Sequence, residues 1–315
     1  MSWTATDIPD LTGKTAVVTG GNGGLGLETV RELVRKGAHV VIGARNLEKA
    51  AAAESDVKAE IPNASLEVRK LDLSSLASVK EFADGVLADH PAIDLLFNNA
   101  GVMATPEWET EDGFEMQFGT NHLGHFALTA HLLPALLAAT EGRIVSTTST
   151  ARFGAGEYDL DNPHHRGVYD SWRAYGYSKL ANLQFVLELN KRLEAAGSNV
   201  KVNAADPGFS DTDLQATSSK NTDGHRRSRF FEKAGPIVGQ SAARGALPQL
   251  RAGTDRSAQG GTLYRPKWVA AGVPIVGKIG EKLRKPADLA KLWELSEKDT
   301  GIEFDVARMV AEASA

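Results

Sequence analysis

The chain has 315 residues, 42% of them apolar and 24% charged, and a formal net charge of −5. That length fits one large α/β domain or two ordinary ones, and so mild an acidity leaves no electrostatic footprint for a nucleic-acid partner. The absence of cysteine excludes disulfides, thiolate catalysis and cysteine-ligated zinc.

The first residues, MSWTATDIPDLTGK, hold no apolar signal core, and nothing approaches a membrane span of roughly 18 apolar residues, so a cytoplasmic protein is expected. Residues 14–19 are apolar and β-branched, which predicts a buried strand. Residues 20–26 hold five glycines and form a turn. From Leu25 a helical period returns, with Leu27, Val30, Leu33 and Val34 on one stripe, and a second strand follows at 38–43. In such a βαβ unit the first turn cradles a pyrophosphate, because backbone N–H groups and the helix N-terminus converge on one spot. A glycine-rich surface turn is the plainer alternative; the flanking strand and amphipathic helix favour the dinucleotide.

An Ala-rich helix covers about 47–60 and stops at Ile61-Pro62. Residues 66–71 form the third strand, ending in Asp72-Leu73, after which Ser74 or Ser75 caps a helix to about 90. A wholly apolar strand at 93–97 is closed by Asn98-Asn99-Ala100-Gly101. A long helix is expected over 113–133, with Pro134 starting another; the fifth strand spans 143–148. A loop fills 152–171, a helix spans 172–196 and the sixth strand lies at 200–204. This alternation predicts a Rossmann-like doubly wound α/β fold with a parallel sheet. Beyond Asp206 the chain turns polar over 210–232, including HRRSR, which reads as a solvated loop or substrate lid rather than an anion site. Residues 240–250 look helical, 261–264 form a short strand, and a helix at 286–298 carries Leu289, Leu292 and Trp293 inward. With no repeat and no dividing linker, residues 1–315 read as one domain: a core at 14–205, then a lid and C-terminal helices at 206–300.

Tyr175-Gly-Tyr-Ser-Lys179 places a phenol and an ammonium on one helix face. A phenol has a pKa of roughly 10, and a cation at ~4 Å in a partly buried site contributes about 4 kcal/mol, or roughly three pKa units. Such a neighbour brings a tyrosine toward the range where acid–base work is effective. Tyr177 lies about 200° round the helix, and Tyr169 sits in the loop, so Tyr175 is the candidate. Ser149, at the end of the fifth strand, is placed to hydrogen-bond a substrate oxygen, and Asn121 is a third polar group in an apolar stretch. The plainer reading of Asn121 is a side chain satisfying a carbonyl at a helix bend. Asn98, Ala100 and Gly101 after the fourth strand, and Pro207, Gly208 and Thr212 after the sixth, fall at the same edge, where open α/β sheets bind ligands.

TGxxxGxG (Thr19, Gly20, Gly24, Gly26), Asp72-Leu73, NNAG, the Asn121 helix, the strand serine, YxxxK and PGxxxT occur in one order over residues 14–212. Together they resemble the classical short-chain dehydrogenase/reductases. GxRN after strand two, NHLGHF, YxxSKLAN and the terminal LWELSE-x-x-TGI resemble the retinol dehydrogenase and WW-domain oxidoreductase branch, with the protochlorophyllide reductases as neighbours. Where that branch has Ser-Ser, this chain has Thr148-Ser149.

The resemblance implies that Tyr175 is the general acid/base, that Lys179 lowers its pKa and bonds the nicotinamide ribose, that Ser149 polarises the substrate oxygen, and that Asn121 supports a proton-relaying water. It implies coenzyme contacts from Gly20, Asn22, Gly24, Leu25, Gly26, Asp72, Leu73, Asn98, Ala100, Gly101, Tyr175, Lys179, Pro207, Gly208 and Thr212. After the second strand stands Arg45 instead of a carboxylate, so NADP(H) is favoured over NAD(H), with Asn22 as a further donor. No metal is expected: His122 and His125 share a face without a third ligand, and His164-His165 sit in a loop. The substrate is a small molecule, a lipophilic or aromatic ketone or aldehyde if Phe153, Tyr158, Tyr169, Trp172, Phe209, Phe230 and Phe231 line its pocket; they serve equally as loop anchors. Mammalian retinol dehydrogenases are often tethered by an apolar segment that is not seen here, so a retinoid need not be the substrate. Reduction of a carbon–carbon double bond on the same scaffold and a non-catalytic coenzyme sensor are the alternative functions, and a homodimer or homotetramer stays open.

Overall fold

The computed structural model describes residues 2–155, 159–209 and 240–315; most of the expected lid, with Thr212, Phe230 and Phe231, lies outside them, as does Tyr158. Strands β1 (Thr15–Thr19), β2 (His39–Ala44), β3 (Ser65–Lys70), β4 (Leu95–Asn98), β5 (Arg143–Thr147), β6 (Lys201–Ala205), β7 (Leu263–Pro266) and β8 (Pro274–Gly277) form one sheet, ordered β3-β2-β1-β4-β5-β6-β7-β8. All neighbours are parallel except β7 and β8. Strand order reverses between β1 and β4, so the loops leaving these two strands diverge and open a crevice.

The alternation of side chains fixes which face each residue serves. Val17, Val41, Leu96, Ile144 and Val202 point to one side, where they pack with Val79 and Phe82 of α3 (Leu76–Asp89), Leu128 and Leu132 of α5 (Gly124–Ala138), and Leu183 and Val186 of α6 (Ser171–Ala195). Ala16, Val18, Val40, Ile42, Phe97 and Val145 point to the other, against Val30 and Leu33 of α1 (Gly24–Arg35), Val57 of α2 (Leu47–Glu60) and Leu250 of α7 (Ala242–Thr254). Each of the Val, Leu, Ile and Phe side chains contributes about 1.5–3 kcal/mol on burial. Both faces are therefore closed, as a parallel sheet requires.

Several details depart from the sequence reading. The helix expected over 113–133 is a short turn α4 (Met116–Phe118), a π-helical segment (Gly119–Leu123) and α5. Pro134 sits inside α5 instead of starting a new helix. Its missing N–H removes one ladder bond, but buried Leu132, Leu133, Ala135 and Leu136 on both sides carry the helix through by packing. Of the two candidate caps for α3 it is Ser75 that accepts from Ser78 N. The strand expected at 261–264 is β7 and the helix expected at 286–298 is α8 (Pro286–Thr300); β8, which the sequence did not single out, closes the sheet edge, and α9 (Val306–Ala313) follows. Leu289, Leu292 and Trp293 of α8 are buried as expected, and Trp293 stacks on Phe304 at 4.9 Å. No helix among the described residues is long and apolar enough to cross a membrane.

Candidate active site

At the carboxyl edge of the sheet lies a cavity of about 1060 Å³. Its floor at the β1 end is the glycine turn, where Gly20, Asn22, Gly24, Leu25 and Gly26 all line it. A Cβ on Gly26 would strike the carbonyl oxygen of Gly20 and stand 2.6 Å from Asn99 Nδ2, so only glycine lets α1 start this close to the β4 loop. No side chain caps the helix; the N–H groups of its first turn have no intrahelical partner and are free to meet an anion. The turn is held from behind by Thr19, which is completely buried. Its hydroxyl accepts from Asn99 N (2.9 Å) and Ala100 N (3.0 Å) and lies 2.9 Å from His125 Nε2. Burial pulls the His125 pKa down to about 4, so the ring is neutral. Its Nδ1 donates to Asn121 O at 2.9 Å, leaving Nε2 to accept from the threonine.

The wall beyond the glycine turn comes from the ends of β2 and β3 and the start of α2: Arg45, Asn46 and Lys49, then Asp72 and Leu73. No carboxylate from the β2 end lines the cavity there. Ala100, Gly101 and Val102 continue the floor, and Pro207, Gly208 and Phe209 close the far side.

Ser149, Tyr175 and Lys179 meet on the wall built by β5 and α6. Asp170 caps α6 through Arg173 N at 2.7 Å. The helix then approaches the 3₁₀ turn Thr150–Gly154 so closely that a Cβ on Gly176 would lie 2.5 Å from Ala151 O. This approach brings the Ser149 hydroxyl beside the Tyr175 phenol, where it acts on the phenol's acidity. Lys179 Nζ stands 5.7 Å from the Tyr175 ring centre and 3.3 Å from Thr147 O, and Thr148 Oγ1 anchors the helix by donating to Lys179 O at 2.6 Å. The sequence-based expectation that the ammonium brings the phenol toward neutrality is not met by this arrangement. Burial pushes the phenol up, the Ser149 hydroxyl opposes that, and the charge of Asp206 adds to it. Burial pulls Lys179 down to about 8, against the pull of Asp206 the other way.

Two expected site residues lie outside the cavity lining. Asn98 is fully buried and its amide nitrogen pairs with Thr129 Oγ1 at 2.9 Å. Asn121, within the π-helical segment, exchanges hydrogen bonds with Val102 (Oδ1 from N at 2.8 Å, Nδ2 to O at 2.9 Å) and donates to Ser178 Oγ at 2.9 Å. It holds the loop that carries Gly101, and a Cβ on Gly101 would sit 3.3 Å from Lys179 Nζ. Of the aromatics, Trp172 and Phe209 line the cavity, as do Met103, Trp108 and Met116, which the sequence did not single out. Phe153 and Tyr169 do not. Tyr169 instead bonds Thr105 O at 2.9 Å and Gln117 Nε2 at 3.1 Å.

The histidines weighed for a metal have other partners: His122 Nε2 bonds Ser296 Oγ at 2.8 Å and His164 pairs with Asp299 at 3.1 Å. One trio the sequence did not reveal, His39, Glu67 and His90, has its donor atoms within 4.8 Å of one another. Arg69 binds the same Glu67 carboxylate at 2.8 Å, which makes it an ion-pair network with its negative charge already matched.

The sequence matches the short chain dehydrogenase family over residues 14–223. It is 46% identical to human (Homo sapiens) retinol dehydrogenase 13 over 203 residues, which cover 64% of this chain and 60% of that protein, so the match spans about three fifths of that relative's length. A short-chain dehydrogenase/reductase of Armillaria gallica is 38% identical over 93% of this chain and 92% of its own. Among solved structures, an uncharacterized protein from Mycobacterium paratuberculosis superposes with a TM-score of 0.77 at 38% identity, covering 96% of this chain and 99% of that one.

Proposed function

This chain belongs to the short-chain dehydrogenase family, in the retinol dehydrogenase branch, and we propose that it moves a hydride between NADP(H) and a lipophilic ketone or aldehyde or the matching alcohol. The observation that carries this reading is a single cavity with an uncapped glycine turn at one end and the Ser149–Tyr175–Lys179 group at the other.

The residues fit a dinucleotide. The unpaired N–H groups of the first turn of α1 suit the pyrophosphate, and Asp72 and Leu73 border the adenine end. Arg45 and Lys49 offer two cations where a ribose 2′-phosphate would lie, with no carboxylate at the β2 end to repel it, which favours NADP(H). The nicotinamide supplies the hydride when bound. The chain's own work is proton transfer and orientation. Because burial holds the Tyr175 phenol protonated, it serves as the acid that gives its proton to a carbonyl oxygen, and the Ser149 hydroxyl fixes that oxygen beside it. Lys179, cationic below about pH 8, stabilises the tyrosinate left behind. Asn121, pinned between Val102 and Ser178, positions the loop opposite the lysine. Met103, Trp108, Met116, Trp172 and Phe209 give the substrate half an apolar, adaptable lining.

Incubation with NADPH and a panel of bulky ketones, quinones and enones, followed by coenzyme absorbance, tests the reading. Turnover with ketones should fall about 10²–10⁴-fold in Tyr175→Phe while coenzyme affinity is kept. Undiminished turnover in that variant would overturn the assignment. Turnover with enones alone would point to double-bond reduction.

A further inference from the structure

Behind the serine lies an ion pair that the sequence reading did not find. Arg152 Nη1 donates to Asp206 Oδ2 at 2.6 Å, and the two side chains are only 4% and 1% exposed. Removing two charges from water is costly, and an apolar pair of similar volume would stabilise the fold as well or better. The pair's hydrogen bonds, however, reach two residues of the cavity wall. The same Nη1 donates to Ser149 O at 2.6 Å, and Asp206 Oδ1 accepts from Gly208 N at 3.0 Å. Ser149 and Gly208, which follow the neighbouring strands β5 and β6, both line the cavity. Phe153 lays its exposed ring over the guanidinium at 4.5 Å. The groups facing Lys179 are Tyr175 on its own helix, His125 of α5, neutral through burial, and the Asp206 carboxylate at the end of β6.

We propose that Arg152 and Asp206 are positioning residues for the reaction: the pair ties the Ser149 backbone to the Pro207-Gly208 turn, and its carboxylate acts on Lys179 as a buried counter-charge. This rests on the oxidoreductase reading above. The field of Asp206 favours the cationic lysine and the protonated phenol, the two forms that reduction needs. Arg152 confines that carboxylate to one geometry while leaving its inner oxygen for Gly208.

The test compares Asp206→Asn, Arg152→Gln and the double variant Arg152→Gln/Asp206→Asn, the last because a single change strands a buried charge and the neutral pair does not. In Asp206→Asn and in the double variant, kcat for reduction should fall on the order of 100-fold, the cost of a roughly 1 Å misplacement, with little change in KM. The alkaline limb of the pH profile should move acidward in both, because the counter-charge is gone. In Arg152→Gln, which keeps the carboxylate, kcat should fall without an acidward shift. A pH limb that stays put in every variant, or a kcat within twofold of wild type in the folded double variant, overturns the proposal. Tyr175→Phe measured alongside separates the two readings: its inactivity with unaffected Asp206 variants defeats this proposal alone, whereas its full activity defeats the underlying function.

Discussion

Replacing Thr19 by valine keeps the shape of a completely buried side chain and deletes its hydroxyl. Its hydrogen bonds vanish together: two accepted from the amides of Asn99 and Ala100, and one proton placed between His125 Nε2 at 2.9 Å and Phe97 O at 3.3 Å. At a net 0.5–1.5 kcal/mol each, their loss costs about 3 kcal/mol; the Asn99 N–H keeps Phe97 O at 2.9 Å, so the Ala100 amide is the group that loses its acceptor. In a chain of 315 residues that is roughly 4–5 °C in the thermal midpoint. The same loosening frees the β4 loop, whose Asn99 Nδ2 also braces Thr19 O at 2.9 Å, so the coenzyme floor should lose definition and NADPH affinity should weaken with it. Thermal melting and fluorescence titration with NADPH read the two effects. Thr19→Ser, which keeps the hydroxyl, should recover most of both. A Thr19→Val protein within about 0.5 kcal/mol of wild type, with unchanged affinity, would show that the hydroxyl does not organise this end of the cavity.

Arg45→Ala should weaken NADPH binding about 10- to 100-fold, the worth of one charge-assisted hydrogen bond to phosphate, and leave NADH binding nearly untouched. Equal losses for both coenzymes would mean that Arg45 does not meet a 2′-phosphate. The pH profile of reduction follows from Lys179. Its pKa is lowered to about 8, so the side chain is cationic below that value and neutral above it, and kcat/KM should decline as pH rises through that point. A rate constant that holds to roughly pH 10, the ordinary lysine range, would refute the role given to its charge.

Wherever a signal is local, the chain announced itself. The strand, glycine turn and helix of residues 15–35 are legible because apolar period changes from two to 3.6 across a run that only glycine could turn. Tyr175 and Lys179 share a face by helical spacing alone, and the cavity does receive both. Pro134 misled because a local helix rule lost to burial on both sides of it. The phenol's acidity misled for a related reason: spacing places an ammonium near it, but desolvation of a buried group outweighs a cation whose distance the sequence does not set.

Sequence by itself therefore determined the doubly wound class, the order of the strands along the chain and the identity of the groups at the sheet's carboxyl edge, since each depends on periodicity or on neighbours within a turn. Only the tertiary structure decided what those groups touch. Thr19 and His125 are 106 residues apart, and Arg152 and Asp206 are 54 apart. No periodic pattern links such partners. They meet because parallel strands, joined by crossovers, deliver distant loops to one edge, and burial there then fixes which protons and charges the site holds.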